Sequence, residues 1–241
     1  DIVAAGGEAI ACIGSVTEQG QGTEGIFAQI AASAVGVTMD KVRVMTGDTG
    51  VTPYGGGTWA SRGAAIGGEA VLQAGRALRS NILDIAAAIL NMDKAELDIV
   101  NNEVVNKLTL ESKLPLVELG RVAYFRPDTL PPKFQSELTV TRHYTPREYG
   151  FSFTNGIHAS YLEVDADTGF VKLLKHWAVD DSGTVINPML VDGQLQASEQ
   201  HVRFVSLYVQ CGSTVHPEAR LALEVGGVQQ LTISHTSRPG L

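Results

Sequence analysis

The order of predicted elements along the sequence indicates an α+β fold. Near its start the chain shows a strand, a helix and a second strand, which is the order of a βαβ unit. Its later part shows apolar strands separated by short polar turns, as in antiparallel hairpins. Because one chain contains both arrangements, the sequence favours α+β over a purely α/β class.

Four elements are predicted in the first ninety residues. The apolar run 9–16 is typical of a buried strand. Apolar residues then recur three and four apart over 23–35, which predicts a helix ended by Gly36. Polar and apolar side chains alternate over residues 41–45, which predicts a second strand. A long helix over 64–90 follows, since apolar or small residues repeat along one face: Val71, Gly75, Leu78, Ile82, Ile85 and Ile89.

Two hairpins, a short helix and an irregular segment are predicted between residues 97 and 179. The pair Asn101-Asn102 lies within the apolar segment 97–105, as in a tight hairpin turn. Four prolines make 126–147 an irregular segment. The remaining predicted elements are a helix over 115–124 and strands over 156–164 and 171–179, joined at 165–169.

Composition excludes several classes of function. The 241 residues include 18 Lys plus Arg and 26 Asp plus Glu, giving a net charge of -8. No clustered basic segment suits a nucleic-acid backbone, so no nucleic-acid partner is expected. No apolar run is long enough to span a bilayer. Two cysteines and the lack of a signal-peptide pattern favour a cytoplasmic location.

A change in composition after Gln196 predicts a boundary. Residues 197–241 contain no Lys, and their three Arg and three Glu balance, so residues 1–196 carry the whole net charge of -8. We therefore expect one domain over 1–196 and a divergent tail over 197–241. A truncated or frame-shifted coding sequence would explain the tail, and resequencing through codon 196 would test this.

Three glycine-bearing turns carry the candidate chemistry. The first, Gly20-Gln-Gly-Thr-Glu-Gly25, lies between a strand and a helix. Read as a dinucleotide fingerprint, with Asp48 as the ribose acid, it would indicate an NAD-binding Rossmann dehydrogenase. Independently of that alternative, glycines allow close backbone approach, and amides at the start of the 23–35 helix are expected to favour an anion. The amide of Gln21 suits a heterocycle edge.

The second and third turns also precede predicted helices. Gly55-Gly-Gly-Thr-Trp-Ala-Ser-Arg-Gly63 combines small residues with Ser61 as an expected N-cap. Asn187-Pro188 is followed by Gly193-Gln194, which alone indicates only a turn that opens a helix.

Together these turns resemble the molybdenum hydroxylase family of xanthine dehydrogenase, aldehyde oxidase and the molybdenum carbon monoxide dehydrogenases. Thr17-Glu-Gln-Gly-Gln-Gly-Thr23 is similar to the family's glutamine–glycine loop. Gly47-Asp-Thr49 with Pro53 to Arg62 resembles its second signature, and Asp180 to Pro188 with Gly193-Gln194 its third. The three motifs also occur in the same order and at similar separations along the chain as in the family. The resemblance covers residues 1–196 and implies the second molybdopterin-binding domain of a large subunit, with mixed sheets and packed helices.

The resemblance implies cofactor contacts but no protein ligand to the metal. The loop of Gly20, Gln21 and Gly22 would lie against the pterin and the metal's equatorial face. The positions of Ala60, Ser61 and Gly63 would approach the metal and the cofactor's phosphate arm, and Gln194 would make a third pterin contact. The metal would be held by the cofactor's own dithiolene sulfurs, with the protein around them.

The reaction that the resemblance implies is hydroxylation of an aldehyde or N-heterocycle C–H with oxygen from water. Electrons would pass to 2Fe-2S clusters and FAD on partner domains or subunits, and the small-molecule substrate would also contact the first molybdenum domain. The expected cofactor is molybdopterin with Mo, in its cytosine dinucleotide form.

One departure from the family pattern bears directly on catalysis. The family's general base is a glutamate in a Gly-Glu context, whereas the nearest candidate in the tail, Glu224, stands in Leu-Glu-Val-Gly-Gly. The catalytic residue is therefore unassigned, and the chain alone is expected to be inactive. A non-catalytic cofactor-binding remnant is the alternative to an enzyme fragment.

Other polar residues are expected to be structural. Asp165-Ala-Asp-Thr-Gly169 resembles the start of a calcium loop but lacks the later ligands, so a hairpin turn is expected. His143, His158 and His176 have no metal-binding spacing, and we expect them to be structural or at the surface. Cys12 lies in an apolar strand and is expected in the core.

Overall fold

The computed structural model describes residues 2–3, 9–52, 54–147 and 155–195. The chain divides into two compact units, Asp1–Ser152 and Phe153–Leu241, and each is described by itself. The predicted tail over 197–241, including Glu224, lies outside the described residues. Within the described part, no helix combines the length and apolarity that a membrane crossing requires.

The first unit begins with a three-stranded mixed sheet, as the α+β prediction requires. Strands β1 (Ile2–Val3) and β2 (Ala9–Gly14) are antiparallel, whereas β2 and β3 (Val42–Thr46) are parallel. Helix α1 (Thr23–Val35) connects the parallel pair, confirming the predicted strand–helix–strand order. It ends at Gly36, whose φ of 97° is the left-handed conformation expected of a helix C-terminal glycine.

The predicted long helix is present, but its first turn is wider than expected. Residues Gly63–Gly67 form a π-helical turn that continues directly into α2 (Gly68–Leu90). The predicted apolar face is buried at five of its six positions, and Ile89 is half-buried. This face packs on α1, where a Cβ at Gly75 would lie 2.6 Å from the Cβ of Ala34. Gly75 therefore allows the two helices to approach closely.

A second three-stranded sheet packs against α2. Strands β4 (Leu97–Val100) and β5 (Glu103–Asn106) form the predicted hairpin, with Asn101 and Asn102 both at positive φ. The sequence did not predict β6 (Ser112–Pro115), which pairs with β5 across a bulge. Its four residues are too short for a clear alternation, and Pro115 ends it. Helix α3 (Leu116–Phe125) follows, as predicted.

Two apolar clusters hold this unit together. The larger joins α2 to the second sheet and α3, with Ile82, Ile99, Val104 and Leu119 at its centre. The smaller comprises Val16, Phe27, Ala31 and Val71 and lies beneath the first two glycine-bearing turns. Cβ atoms at Gly14 and Gly67 would each lie 2.7 Å from the Phe27 ring. This ring therefore packs against the backbone just before the first turn and just after the second.

The second unit contains the predicted hairpin of long strands. Strand β7 (Asn155–Val164) pairs antiparallel with β8 (Val171–Asp181), with a register shift after Tyr161. Their turn closes on Asp165, whose carboxylate accepts the amides of Asp167 and Thr168. A helix occupies 188–195, up to the end of the described residues.

Candidate functional site

The first glycine loop is organised around the carboxylate of Glu18. One oxygen accepts the backbone N–H groups of Gln19, Gly20 and Gly22 at 3.1, 2.8 and 3.1 Å, and the other accepts that of Glu24 at 2.9 Å. Burial of the carboxyl would raise the pKa of Glu18, but the four donors together lower it below its ordinary value of 4.5.

This carboxylate corrects one expectation about helix α1. Free amides were expected at the start of the helix, where they would attract an external anion, but Glu18 already accepts those of Gly22 and Glu24. The helix follows Gly22, which has a φ of 84° and no side-chain cap. The loop thus contains its own anion, and a phosphate group has no vacant donors at these two amides.

Gln21 lies in the same loop and is held by three internal hydrogen bonds. Its Nε2 donates to the carbonyl of Thr17 at 3.1 Å and to Oγ1 of Thr23 at 2.7 Å, while its Oε1 accepts the amide of Gln19 at 2.6 Å. The side chain therefore fixes the loop from within. Gly20 is exposed, and a Cβ added there would meet no atom within 4 Å. At Gly20 the exposed side of the loop is thus bare backbone.

A single threonine joins the first loop to the second. Oγ1 of Thr58 accepts the N–H of Thr17 at 2.9 Å and donates to the carbonyl of the same residue at 2.7 Å. Nε2 of Gln19 also donates to the carbonyl of Thr58 at 3.2 Å. Two segments that lie 41 residues apart are held together by these bonds, so the structure brings two of the three predicted turns into one site. Thr58 was not predicted as a site residue, because its partners are backbone atoms.

The predicted residues of the second loop lie in an unusual backbone conformation. Ala60 and Ser61 both have positive φ, at 50° and 57°, and both are exposed. The expectation that Ser61 caps the following helix is wrong, because the helix starts at Gly63 after Arg62, with no side-chain cap. Left-handed backbone at non-glycine residues is costly and is concentrated at functional sites. Gly63 is buried, and its Cβ would lie 3.7 Å from Oγ1 of Thr23 at the start of α1.

Arg62 is a second site residue that sequence reasoning missed. Its Nε is buried and has no hydrogen-bond partner, while its Nη1 donates to the carbonyl of Gly57 at 3.4 Å. The guanidinium carbon lies 5.8 Å from the centre of the Trp59 ring, whose Nε1 donates to the carbonyl of Gly56 at 2.9 Å. An unpartnered guanidinium N–H beside a glycine loop is a donor suited to an anion.

The third turn lies in the second unit. Oδ1 of Asp181 accepts the amide of Gly183 at 3.0 Å, and Oδ1 of Asn187 accepts that of Leu190 at 3.2 Å. Asn187 thus caps the helix over 188–195, as a residue before a helix start commonly does. Gln194 is exposed on this helix.

Of the residues expected to be structural, Cys12 is less buried than predicted. His143 is exposed, and Asp165 closes its hairpin turn. Cys12 is half-buried against the smaller apolar cluster, and burial raises the pKa of its thiol to about 11. A thiol with so high a pKa is a poor nucleophile at neutral pH. Among the described residues, no group of three or more His, Cys, Asp or Glu side chains could hold a metal ion.

Comparison with known proteins identifies the family. Residues 5–198 match the family model of the molybdopterin cofactor-binding domain. The chain belongs to this family. As a molybdopterin cofactor-binding domain, it is no Rossmann dehydrogenase, and the three-glycine match at 20–25 is coincidental.

Relatives of this molybdopterin-binding domain are large subunits of molybdenum enzymes. The chain is 33% identical to the carbon monoxide dehydrogenase large chain of Hydrogenophaga pseudoflava, over 78% of this chain and 23% of that protein. It is 34% identical to the nicotine 6-hydroxylase large subunit of Paenarthrobacter nicotinovorans, over 76% of this chain and 23% of that protein. The chain therefore spans about a quarter of the length of these relatives.

A solved structure confirms the fold of the molybdopterin-binding domain. Quinoline 2-oxidoreductase from Pseudomonas putida 86 matches with a TM-score of 0.76 and 28% identity, over 98% of this chain and 31% of that chain. The α+β class, with mixed sheets and packed helices, is thus confirmed.

Proposed function

We propose that this chain is the molybdopterin-binding part of a molybdenum hydroxylase. The parent enzyme would hydroxylate an electron-poor C–H, in an aldehyde or an N-heterocycle, with oxygen taken from water. The observation that carries this proposal is the joining of the glutamine–glycine loop to the second loop through Thr17 and Thr58. In a chain of this family, the joined loops form one preformed surface for a cofactor.

The residues of the first unit fit an anionic pterin cofactor. The buried Nε of Arg62 lacks a partner in the structure, and a phosphate oxygen would supply one. Cβ atoms at Gly20 and Gly57 would meet no atom within 4 Å, so nothing on the protein side obstructs a planar group there. This surface would be formed by Gly20, Gln21, Gly22, Ala60, Ser61 and Gly63. The contact of Gln194 with the pterin remains a prediction from the sequence.

Each loop would have a separate task in holding the cofactor. Molybdopterin, when bound, would supply the metal centre for oxygen transfer and electron uptake. The first loop would present bare backbone to the pterin, held in shape by the internal bonds of Glu18 and Gln21. Arg62 would neutralise phosphate charge, while the small side chain of Ala60 would leave room beside the metal. No described residue is assigned as the general base.

The names of two of the three relatives described above favour an N-heterocycle as substrate. Nicotine 6-hydroxylase and quinoline 2-oxidoreductase are both named after nitrogen heteroaromatic compounds. We also propose the cytosine dinucleotide form of molybdopterin, 2Fe-2S clusters and FAD on partner domains or subunits, and a cytoplasmic location. The first molybdenum domain would be a further partner, and the boundary at Gln196 remains a prediction.

Metal and nucleotide analysis of the chain purified with its neighbouring subunits tests the proposal. We expect molybdenum at about one atom per chain, with cytidine nucleotide released on acid treatment. Hydroxylation of a quinoline or nicotine-like compound, with label from ¹⁸O-water in the product, would support the enzyme. Cofactor without turnover would instead favour a non-catalytic remnant, and the absence of both molybdenum and nucleotide would contradict the proposal.

A further inference from the structure

One face of the hairpin in the second unit carries a row of polar side chains. In the β7–β8 register, Gly156 is opposite Asp180, His158 opposite Ala178 and Ser160 opposite His176. Directly opposed residues of antiparallel strands project to the same face, and alternate residues share it. Ser160, His176, His158 and Asp180 therefore lie together, although no short spacing in the sequence links them.

These four side chains form a continuous series of hydrogen bonds. Oγ of Ser160 lies 2.8 Å from Nδ1 of His176, and Nε2 of His176 lies 3.4 Å from Nδ1 of His158. Nε2 of His158 lies 3.0 Å from Oδ2 of Asp180. The two imidazole rings are 5.4 Å apart in an edge-to-face arrangement. His176 is only 3% exposed, so its ring nitrogens depend on these partners.

The carboxylate at one end sets the direction of every bond in the series. A carboxylate only accepts, so Nε2 of His158 carries the proton. In neutral His158, Nδ1 then accepts, which requires a proton on Nε2 of His176. Nδ1 of His176 accepts in turn from the hydroxyl of Ser160. The identity of each side chain therefore matters for the next, up to Asp180.

Asp180 is confined on its other side by backbone. A Cβ at Gly156 would collide with the Asp180 carboxylate, so only glycine leaves this space. The carboxylate of Asp180 thus lies between the α-carbon hydrogens of Gly156, on the opposite strand, and the ring of His158. The next residue is Asp181, whose carboxylate accepts the backbone N–H of Gly183. Asp180 is the next-to-last residue of β8, and the segment that leads to Gln194 starts directly after this strand.

We propose that His158, supported by His176 and Ser160, is a positioning residue for the third cofactor loop. It orients Asp180, and thereby the start of the segment over 181–195 that carries Gln194. This inference rests on the proposed function, because it assigns a purpose to the loop only if the loop contacts the cofactor. His158 itself touches no reacting atom in this scheme.

Three substitutions of His158 separate positioning from simple space filling. Glutamine places an amide N–H near Nε2 and so keeps the donor to Asp180. Asparagine places its oxygen near Nδ1, which keeps the acceptor for His176 but loses the donor. Phenylalanine keeps the ring volume and loses both bonds. The same three substitutions at the exposed His143 serve as matched controls.

The measurement is the molybdenum and nucleotide retained per chain by the purified complex after extended dialysis, with circular dichroism to verify folding. We expect His158→Gln to stay within about twofold of the wild type, and His158→Asn and His158→Phe to lose about tenfold or more. The His143 variants should all match the wild type. Equal retention by His158→Phe and the wild type would overturn the proposal, as would equal loss in all three His158 variants.

Failure of this inference is distinguishable from failure of the proposed function. If the chain does not bind molybdopterin, the wild-type complex itself contains neither molybdenum nor nucleotide. If only the positioning role is wrong, the wild type retains both molybdenum and nucleotide. Retention by the variants then does not depend on whether the side chain at position 158 can donate to Asp180.

Discussion

The first two glycine-bearing turns and the third differ in how their polar side chains are used. In the first unit, Glu18, Gln21 and Thr58 direct most of their hydrogen bonds to backbone atoms of the loops. In the second unit, the side chains before the third loop bond mainly to one another, from Ser160 to Asp180. Side-chain-to-backbone bonds fix the path of the chain directly, whereas the second arrangement fixes one carboxylate through two imidazoles.

This difference indicates which substitutions each region tolerates. A backbone partner is present whatever the neighbouring side chains are, so the first region depends on a few separate residues. In the second, the side chains bond to one another, so a change at one alters the hydrogen-bonding roles open to its neighbours. We therefore expect separable effects in the first unit and strongly coupled effects in the second.

The largest effect is expected from Phe27→Ala. Phe27 is fully buried between Gly14 and Gly67, beneath both loops of the first unit. Removing its ring should leave a cavity and lower the free energy of unfolding by about 3–5 kcal/mol. Urea unfolding followed by the fluorescence of Trp59 in a Trp177→Phe background would report on the first unit alone.

Phe125→Ala is the control for that substitution. Phe125 is 67% exposed at the end of α3, so its removal should change stability by about 0.5 kcal/mol or less. Equal losses in the two variants would show that the contact between Phe27 and the two glycines does not support the loops.

Thr58→Val tests the hydrogen bonds that join the first two loops. Valine keeps the shape of threonine but leaves the N–H and the carbonyl of Thr17 without their partner. Because the site is only partly buried, we expect a loss of about 1–2 kcal/mol in the same unfolding assay. Thr58→Ser keeps the hydroxyl and should recover most of this loss; a serine variant as unstable as the valine variant would contradict the role of the hydrogen bonds.

The secondary structure was far more predictable than these bonds. The spacing of apolar residues located α1, the long helix and the β7–β8 hairpin. The pair Asn101-Asn102 located the turn between β4 and β5. Both signals are local in the sequence. Thr58, Arg62 and the row from Ser160 to Asp180 were missed, since their partners are backbone atoms or lie on a neighbouring strand. The capping role expected of Ser61 was wrong because its positive φ places it before the helix rather than at its start.

Arg62→Met tests whether the first unit binds the anionic part of the cofactor. Methionine keeps much of the side-chain length but removes the unpartnered Nε and the charge. A charge-assisted hydrogen bond contributes about 1.5–3 kcal/mol, so we expect at least tenfold less nucleotide retained by the purified complex. Arg121→Met, on the exposed surface of α3, should retain as much nucleotide as the wild type.

Arg62→Lys adds a test of geometry, since lysine restores the charge without the planar donor of the guanidinium. Intermediate retention would show that both charge and geometry contribute. If Arg62→Met retained nucleotide like the wild type, the cofactor's anionic group would have to be bound elsewhere.

The smallest effect is expected at Glu18, and it should depend on pH. Although burial alone would raise it, the four backbone donors hold the pKa of Glu18 below 4.5 in the folded chain. A carboxyl with a lowered folded pKa stabilises the fold above its unfolded pKa, and this stabilisation is lost as the pH falls through the folded value. Glu18→Gln should therefore lower stability slightly at pH 7 and make no difference under strongly acidic conditions. Urea midpoints measured from pH 7 to pH 3 would show the two chains converging. A constant difference at every pH would mean that Glu18 acts through its shape and not through its charge.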